Sequence, residues 1–395
     1  MTKSAVKYVY VVIMLLIDLA LYTSGYPCKY TVRDIGFTDL GATAYKLYII
    51  VGNETSAEMI TSMHRIAYAA FLDANVAYEI INKATLSENP AIKYLSANQN
   101  DSLPAFILTD PTGNALRRSF EYKPNQFKQS LWQLMDDVVS SPLREEICAK
   151  LIETYGIVLL VEGKNIELNK MARKEIAGAI ANIKQVMQLM PKSVDNPPQI
   201  IVLPRQKIKA ESVLLWSLGA QSKGMEEPRV VVLYGRGRRI GPLLRGKQIN
   251  QENLFNLLAV IGADCECGLD RSVMLGRMIP LSWVREYEER LIYLLGFDVE
   301  NPLIKSEMQQ ILSMPQALQS GQNFKNPLSA YKEGIIKFDS EPIVPTVSSS
   351  PFRVSDADDL SESEHSFIHI SLYSLGGVFF VVLIIGCVIA IRSRK

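Results

Sequence analysis

Short apolar runs punctuated by glycine, proline and asparagine alternate, along most of the chain, with longer stretches that carry an apolar residue every third or fourth position. Leu47 to Val51 (LYIIV), closed by Gly52 and Asn53, has the length and boundaries of a buried strand. Ser56 to Leu72 places Met59, Ile60, Met63, Ile66, Ala67 and Ala70 on one helical face. Val76 to Ile81 predicts a second strand, and Pro90 to Leu95 a short helix opened by its proline. Leu103 and Pro104 lead into AFILTD, then a turn at 111–114 (PTGN) and LRRSF, which together predict a hairpin. A helix from Pro124 to Val139 closes the unit, giving the order β-α-β-α-β-β-α.

The same order returns further on. Ile157 to Val161, Gln199 to Leu203 and Arg229 to Leu233 predict strands, with helices over Glu167 to Met190 and Ala210 to Ala220 between them. A turn at Gly235 to Gly237, a return strand near Ile240 and a helix from Gln251 to Ile261 complete it. Pro104 then falls on Pro228, Gly113 on Gly237, Leu116 on Ile240 and Leu131 on Phe255, all at a spacing of 124. Four landmarks of different chemistry at one spacing predict a duplication with two separate cores. Near the first strands the spacing is about 110, which a longer first helix in the second copy accounts for.

This succession, with a proline just before the third strand, resembles the thioredoxin superfamily over roughly 44–140 and 154–263. The resemblance implies that Pro104 and Pro228 are counterparts of the family's usually cis proline, which faces the active site, and so are candidate binding residues. A proline merely starting a strand is the alternative. Where the family places Cys-x-x-Cys, at the start of the first helix, the chain has Asn53-Glu54-Thr55-Ser56 and Lys164-Asn165-Ile166-Glu167. Those side chains can cap a helix but cannot carry thiol exchange.

The two ends have their own character. Lys3 and Lys7, an apolar run from Tyr8 to Leu21 and a small polar exit at Thr23-Ser24-Gly25 predict a cleaved secretory signal. Leu375 to Ile391 carries no charge and is closed by Arg392, Arg394 and Lys395, which predicts a membrane helix with its tail in the cytoplasm and the head outward. Between Met314 and His369, prolines, serines and acidic residues with little apolar content predict a flexible stalk. The predicted organisation is a signal over 1–25, a lead over 26–43, thioredoxin-like domains over 44–141 and 142–263, and a Cys-x-Cys and helical extension over 264–313. A stalk over 314–369, a membrane helix over 370–391 and a tail over 392–395 follow. Excluding the signal and everything after Ser313 leaves about 285 residues, enough for two domains.

Composition narrows the function classes. The 395 residues carry 42 Lys plus Arg against 41 Asp plus Glu, so bulk charge makes no case for nucleic acid. Five cysteines are too few for a disulfide-built scaffold. Cys265 and Cys267, flanking Glu266, are the sharpest local feature and admit four readings: a reducible disulfide, half of a soft-metal site, a structural disulfide with Cys28 or Cys148, or idle thiols. A metal would need two further ligands, and the only histidines are His64, His365 and His369, so no metal or cofactor is expected. Cys148 reads equally as a small core residue and Cys387 as apolar filler in the membrane helix.

The segment after Cys267 resembles, together with the Cys-x-Cys, a stretch of uncharacterised thioredoxin-like bacterial envelope proteins, a resemblance that implies no activity. There Trp283, Tyr287, Leu291 and Leu294 fall on one helical face, which reads as packing on the second domain or as a partner-binding helix. The glycines and arginines of 235–247 lie on a hairpin, a poor setting for phosphate. Asn53 and Asn100 fit the glycosylation acceptor pattern, and His64 reads as a packed or capped histidine. These features predict an outward-facing binding or scaffold protein with a protein or peptide partner; the alternative is thiol-disulfide or metal handling by Cys265 and Cys267.

Overall fold

The computed structural model describes residues 29–41, 45–95, 103–221, 225–264 and 275–313. A short helix α1 (Val32–Phe37) begins at Thr31, whose hydroxyl caps it while Asp34 reaches back to the Thr31 N–H. The first repeat then runs β1 (Tyr45–Val51), α2 (Ala57–Phe71), β2 (Val76–Asn82), two 3-10 turns (Lys83–Glu88, Pro90–Tyr94), β3 (Ala105–Thr109), β4 (Ala115–Arg118) and α3 (Phe127–Val139). Helix α4 (Pro142–Glu153) leads to the second: β5 (Ile157–Val161), α5 (Ile166–Val186), β6 (Gln199–Leu203), α6 (Ser212–Ser217), β7 (Arg229–Tyr234), β8 (Arg238–Arg245) and α7 (Gln251–Ile261). Two further helices follow, α8 (Arg285–Leu295) and α9 (Pro302–Ser313).

The strands form two separate four-stranded sheets, ordered β2-β1-β3-β4 and β6-β5-β7-β8. In each, the first two strands are parallel, and the crossover this demands is supplied by α2 or α5; the hairpin strands are antiparallel. The repeated arrangement extends to the register. Leu108 opposite Leu116 in the first sheet becomes Val232 opposite Ile240 in the second, both shifted by 124. Leu47 opposite Leu108 becomes Val158 opposite Val232, a shift of 111 on the first strand, so the extra residues lie between β5 and β7. One landmark is displaced: Leu131 is fully buried, whereas on α7 its neighbour Leu254 is fully buried and Phe255 is half-buried.

Alternation along the strands sends neighbouring side chains to opposite faces. In the first sheet Leu47, Ile49, Phe106 and Leu108 pack against Met63 and Ala67 of α2 and Leu131 and Met135 of α3. Tyr48, Ile50 and Ile107 face the other way, onto Ala91 and Tyr94 of the 3-10 turns. The helix expected at Pro90 to Leu95 is thus only a 3-10 turn. Asn82 and Asn89 each accept a main-chain N–H two residues on, from Ala84 and Ala91, and such turns compete with helix. The helix expected over 210–220 contracts to α6 because Gly219, at φ 68°, takes the left-handed conformation that ends it.

The second sheet buries Ile157, Leu159, Val161, Val231 and Leu233 beneath α4, α6 and residues of the C-terminal extension, among them Trp283, Leu291 and Val299. Helix α6 also reaches the first repeat, where Val213 belongs to the core and Trp216 lies 5.9 Å from the Tyr45 ring. The extension enters as a strap, residues 277–283, along the seam. It takes hydrogen bonds from Tyr45 Oη and Asn75 Nδ2, gives main-chain bonds to Asp73, Val139 and Gly237, and pairs Arg277 with Asp110 at 2.7 Å.

No helix among the described residues is long and apolar enough to cross a membrane. The expected signal (1–25), stalk (314–369) and membrane helix (370–391) lie outside the described residues.

Candidate functional site

In each repeat the candidate site is the junction of the first helix's N-terminus with the proline before the third strand. In the first repeat, β1 ends at Val51 and the chain turns through Gly52, with Thr55 N–H donating back to the Gly52 carbonyl at 3.1 Å. Ser56 then accepts the Met59 N–H at 3.3 Å and caps α2. Asn53 and Glu54 stand exposed in this turn, and their N–H groups have no main-chain partner among the described residues. Across the sheet, Ala105 opposes Ile50, which brings buried Pro104 beside the end of β1. The Leu103–Pro104 bond is cis.

The second repeat differs. Asn165 caps α5 by accepting from Glu167 and Leu168 N–H, at 3.0 and 3.1 Å. Pro228 is buried beside Val161, but its peptide bond is not cis, contrary to the implication of the resemblance. The chain ahead of it prolongs the β5–β7 ladder: Lys164 N–H donates to the Met225 carbonyl and Asn165 N–H to that of Glu226, both at 3.1 Å. Lys164 and Glu226 also form an ion pair. Gly163 fits only because it lacks a side chain, since a Cβ there would lie 2.5 Å from the Glu227 carbonyl carbon. Its N–H and C=O are both taken by the Asn169 amide. The second junction is therefore closed by its own backbone.

Of the cysteines, Cys148 alone lies among the described residues; Cys28, Cys265, Cys267 and Cys387 lie outside them. Cys148 lies on α4, free and buried in the core. Burial pushes its thiol up to about 12, and it has no nucleophilic character at neutral pH. Among the described residues no three His, Cys, Asp or Glu side chains lie close enough to hold a metal ion.

Other sequence candidates find structural roles. Arg236 and Arg238 of the hairpin are buried in the protein's own structure. Arg236 stacks 4.8 Å over the Trp283 ring and pairs with Glu288 and Glu300, while Arg238 donates to the carbonyls of Gly36, Thr38 and Gly276. Trp283 itself precedes α8 and is buried; Tyr287 and Leu291 continue into the core, whereas Leu294 turns outward and is half exposed. His64, expected to be packed or capped, is exposed on α2, edge-on to Tyr78 with ring centroids 5.9 Å apart. Asn53 occupies an exposed turn, and Asn100 lies outside the described residues.

Sequence reasoning missed Arg144, which is only 3% exposed. Its guanidinium donates to the carbonyls of Asp137, Val138 and Ser140 at the end of α3 and to Pro280 of the strap. Burial lowers its pKa to about 10, and it stays charged at neutral pH. A helix end needing a cation is the only local signal, and position alone did not distinguish it from surface arginines.

No family model matches the sequence, and no curated protein sequence matches it. The search of solved structures finds thioredoxin-domain proteins. The first two thioredoxin domains of Saccharomyces cerevisiae Eps1p are 10% identical, cover 60% of this chain and 98% of their own, and have a TM-score of 0.22. Human ERp44 in a zinc-bound form is 12% identical over 55% of each chain, with a TM-score of 0.21. An N-terminal domain of alkylhydroperoxide reductase AhpF from Enterococcus faecalis is 11% identical, over 57% of this chain and 95% of that one, with a TM-score of 0.16. The thioredoxin-like arrangement rests on strand order and connectivity, which both sheets share.

Proposed function

We propose that this chain is a membrane-anchored, outward-facing binding or scaffold protein whose thioredoxin-like domains do not catalyse thiol exchange. The observation that carries the reading is the identity of the residues at the two helix starts. Ser56 and Asn165 satisfy the helix N–H groups as caps, in the place where exchange chemistry needs a thiolate with its pKa lowered by the helix dipole. What the first junction offers a partner is a turn with exposed Asn53 and Glu54, whose N–H groups have no main-chain partner among the described residues, beside Pro104. A protein or peptide main chain is the natural complement, and the closed junction at Pro228 is the lesser site.

The test uses the full chain reconstituted into vesicles. Insulin reduction at the uncatalysed rate, together with digestion of the head by external protease, is the expected result. Reductase activity that Cys265→Ser with Cys267→Ser abolishes would replace this reading by thiol-disulfide handling at that pair. Protection of the head on outward-oriented vesicles would refute the topology.

A further inference from the structure

A second recess lies at the opposite end of the second sheet from Pro228. Tyr155, just before the start of β5, lines it together with Gly262 after α7, whereas Pro228 adjoins the end of β5. Its volume is about 60 Å³. That is about two waters' worth, enough for one carboxylate group and too little for a nucleotide.

Its polar wall is built from α1 and the loop after α5. Arg33 is 7% exposed, lies 4.9 Å over the Phe37 ring, and gives Nη2 to the carbonyls of Ile152 and Thr154. Its Nε is buried without a partner and does not open onto the recess, and the carboxylate that acts on its charge is that of Asp34. Asp34, the one acid in the wall, is already engaged by the Thr31 N–H and by Lys192 at 2.6 Å. The recess thus holds two cations against one anion, a balance that favours an added negative charge. The rim is apolar. Leu294 and Leu295 line it, and the same turn of α8 exposes Ile292 by 42%, Tyr293 by 89% and Leu294 by 51%.

We propose that this recess binds a carboxylate carrying a small aliphatic group. The Arg33 guanidinium and the Lys192 ammonium take the carboxylate, and the leucine rim takes the hydrocarbon. A peptide C-terminus ending in an aliphatic residue and a free short branched acid share this chemistry.

Isothermal titration of the full chain in detergent tests it with 4-methylpentanoate, 4-methylpentanamide and a tetrapeptide ending in leucine. Saturable binding of the acid without binding of the amide is expected. Tighter binding of the peptide assigns the site to chain termini, and tighter binding of the acid to free acids. Leu294→Asp, a half-exposed position that leaves the core intact, should weaken the acid about tenfold or more by facing it with a like charge. Lys192→Gln should do the same while the circular dichroism spectrum stays that of the wild type. Equal binding of acid and amide, isotherms unchanged in both variants, or no binding of any probe would overturn the proposal, the last leaving a water-filled recess.

Discussion

Replacing Arg144 by methionine removes one side chain and disconnects three elements. The guanidinium serves three carbonyls at the end of α3 and the Pro280 carbonyl of the strap, so the variant leaves four acceptors without their donor in a region where Arg144 is almost wholly buried. A buried acceptor left unpaired costs ~1–3 kcal/mol. The four are not independent, and removing a buried cation returns part of its desolvation cost, so the net loss should be about 4 kcal/mol. For a head of this size that corresponds to a fall in melting temperature of about 10 °C. Thermal melts of the full chain followed by far-UV circular dichroism measure it. Arg144→Lys should fall between, because a lysine ammonium keeps the charge but cannot span four acceptors with a planar fork. A fall of less than ~2 °C for the methionine variant, or full recovery with lysine, would refute the assignment of Arg144 as the brace between α3 and the strap.

Asn75 grips the strap from the first repeat through Ile279 and Leu281, so Asn75→Ala should loosen it and speed hydrogen exchange at Leu281 while Leu47 exchange is unchanged. In a chain with Cys28, Cys265, Cys267 and Cys387 all replaced by serine, Cys148 should resist a thiol reagent at pH 8 until denaturant is added, because its thiol sits near 12; reaction of the folded chain at a free-thiol rate would contradict its burial. Asp110 is a pH-sensitive contact. Its burial alone would raise the pKa, but bonds from Asn114 and Thr112 and the charge of Arg277 hold it below the usual carboxylate range. A depressed folded pKa contributes stability that is fully present above the unfolded value, about 3.9, and is lost as pH falls through the folded one. The stability difference between wild type and Asp110→Asn should therefore be constant from neutral pH to about 5 and shrink in stronger acid.

What was legible in the sequence is what repeats locally. Continuous runs such as VVVL, residues 230–233, announce a strand buried on both faces, and the spacing of 124 survives in the register of β3–β4 and β7–β8. What was not legible depends on partners distant in sequence. Residues 277–283 alternate only briefly, at Ile279, Leu281 and Trp283 with Pro280 between, and their hydrogen bonds go to Asp73, Asn75, Val139 and Gly237 rather than to neighbours in sequence. Arg236 and Arg238 look like solvated charges by type; only the carboxylates of α8 and the turn after it, and the carbonyls beyond α1, make their burial tolerable. The difference between the two prolines had no local signal either, since Pro104 and Pro228 precede their strands in the same way and diverge through what the loops 162–165 and 225–227 do with each other.

That divergence fits a division of labour between the copies. The second repeat uses its periphery for internal work: α6 fills the first core with Val213, the β7–β8 turn holds the extension through Arg236, and the junction at Pro228 spends its N–H groups on its own backbone. Each of these contacts removes surface that a partner would need. The first repeat keeps Asn53 and Glu54 exposed at its helix start and receives support from the second through Trp216 and the strap. The second repeat thus braces the first, and loosening the strap should therefore weaken the peptide binding proposed at Pro104.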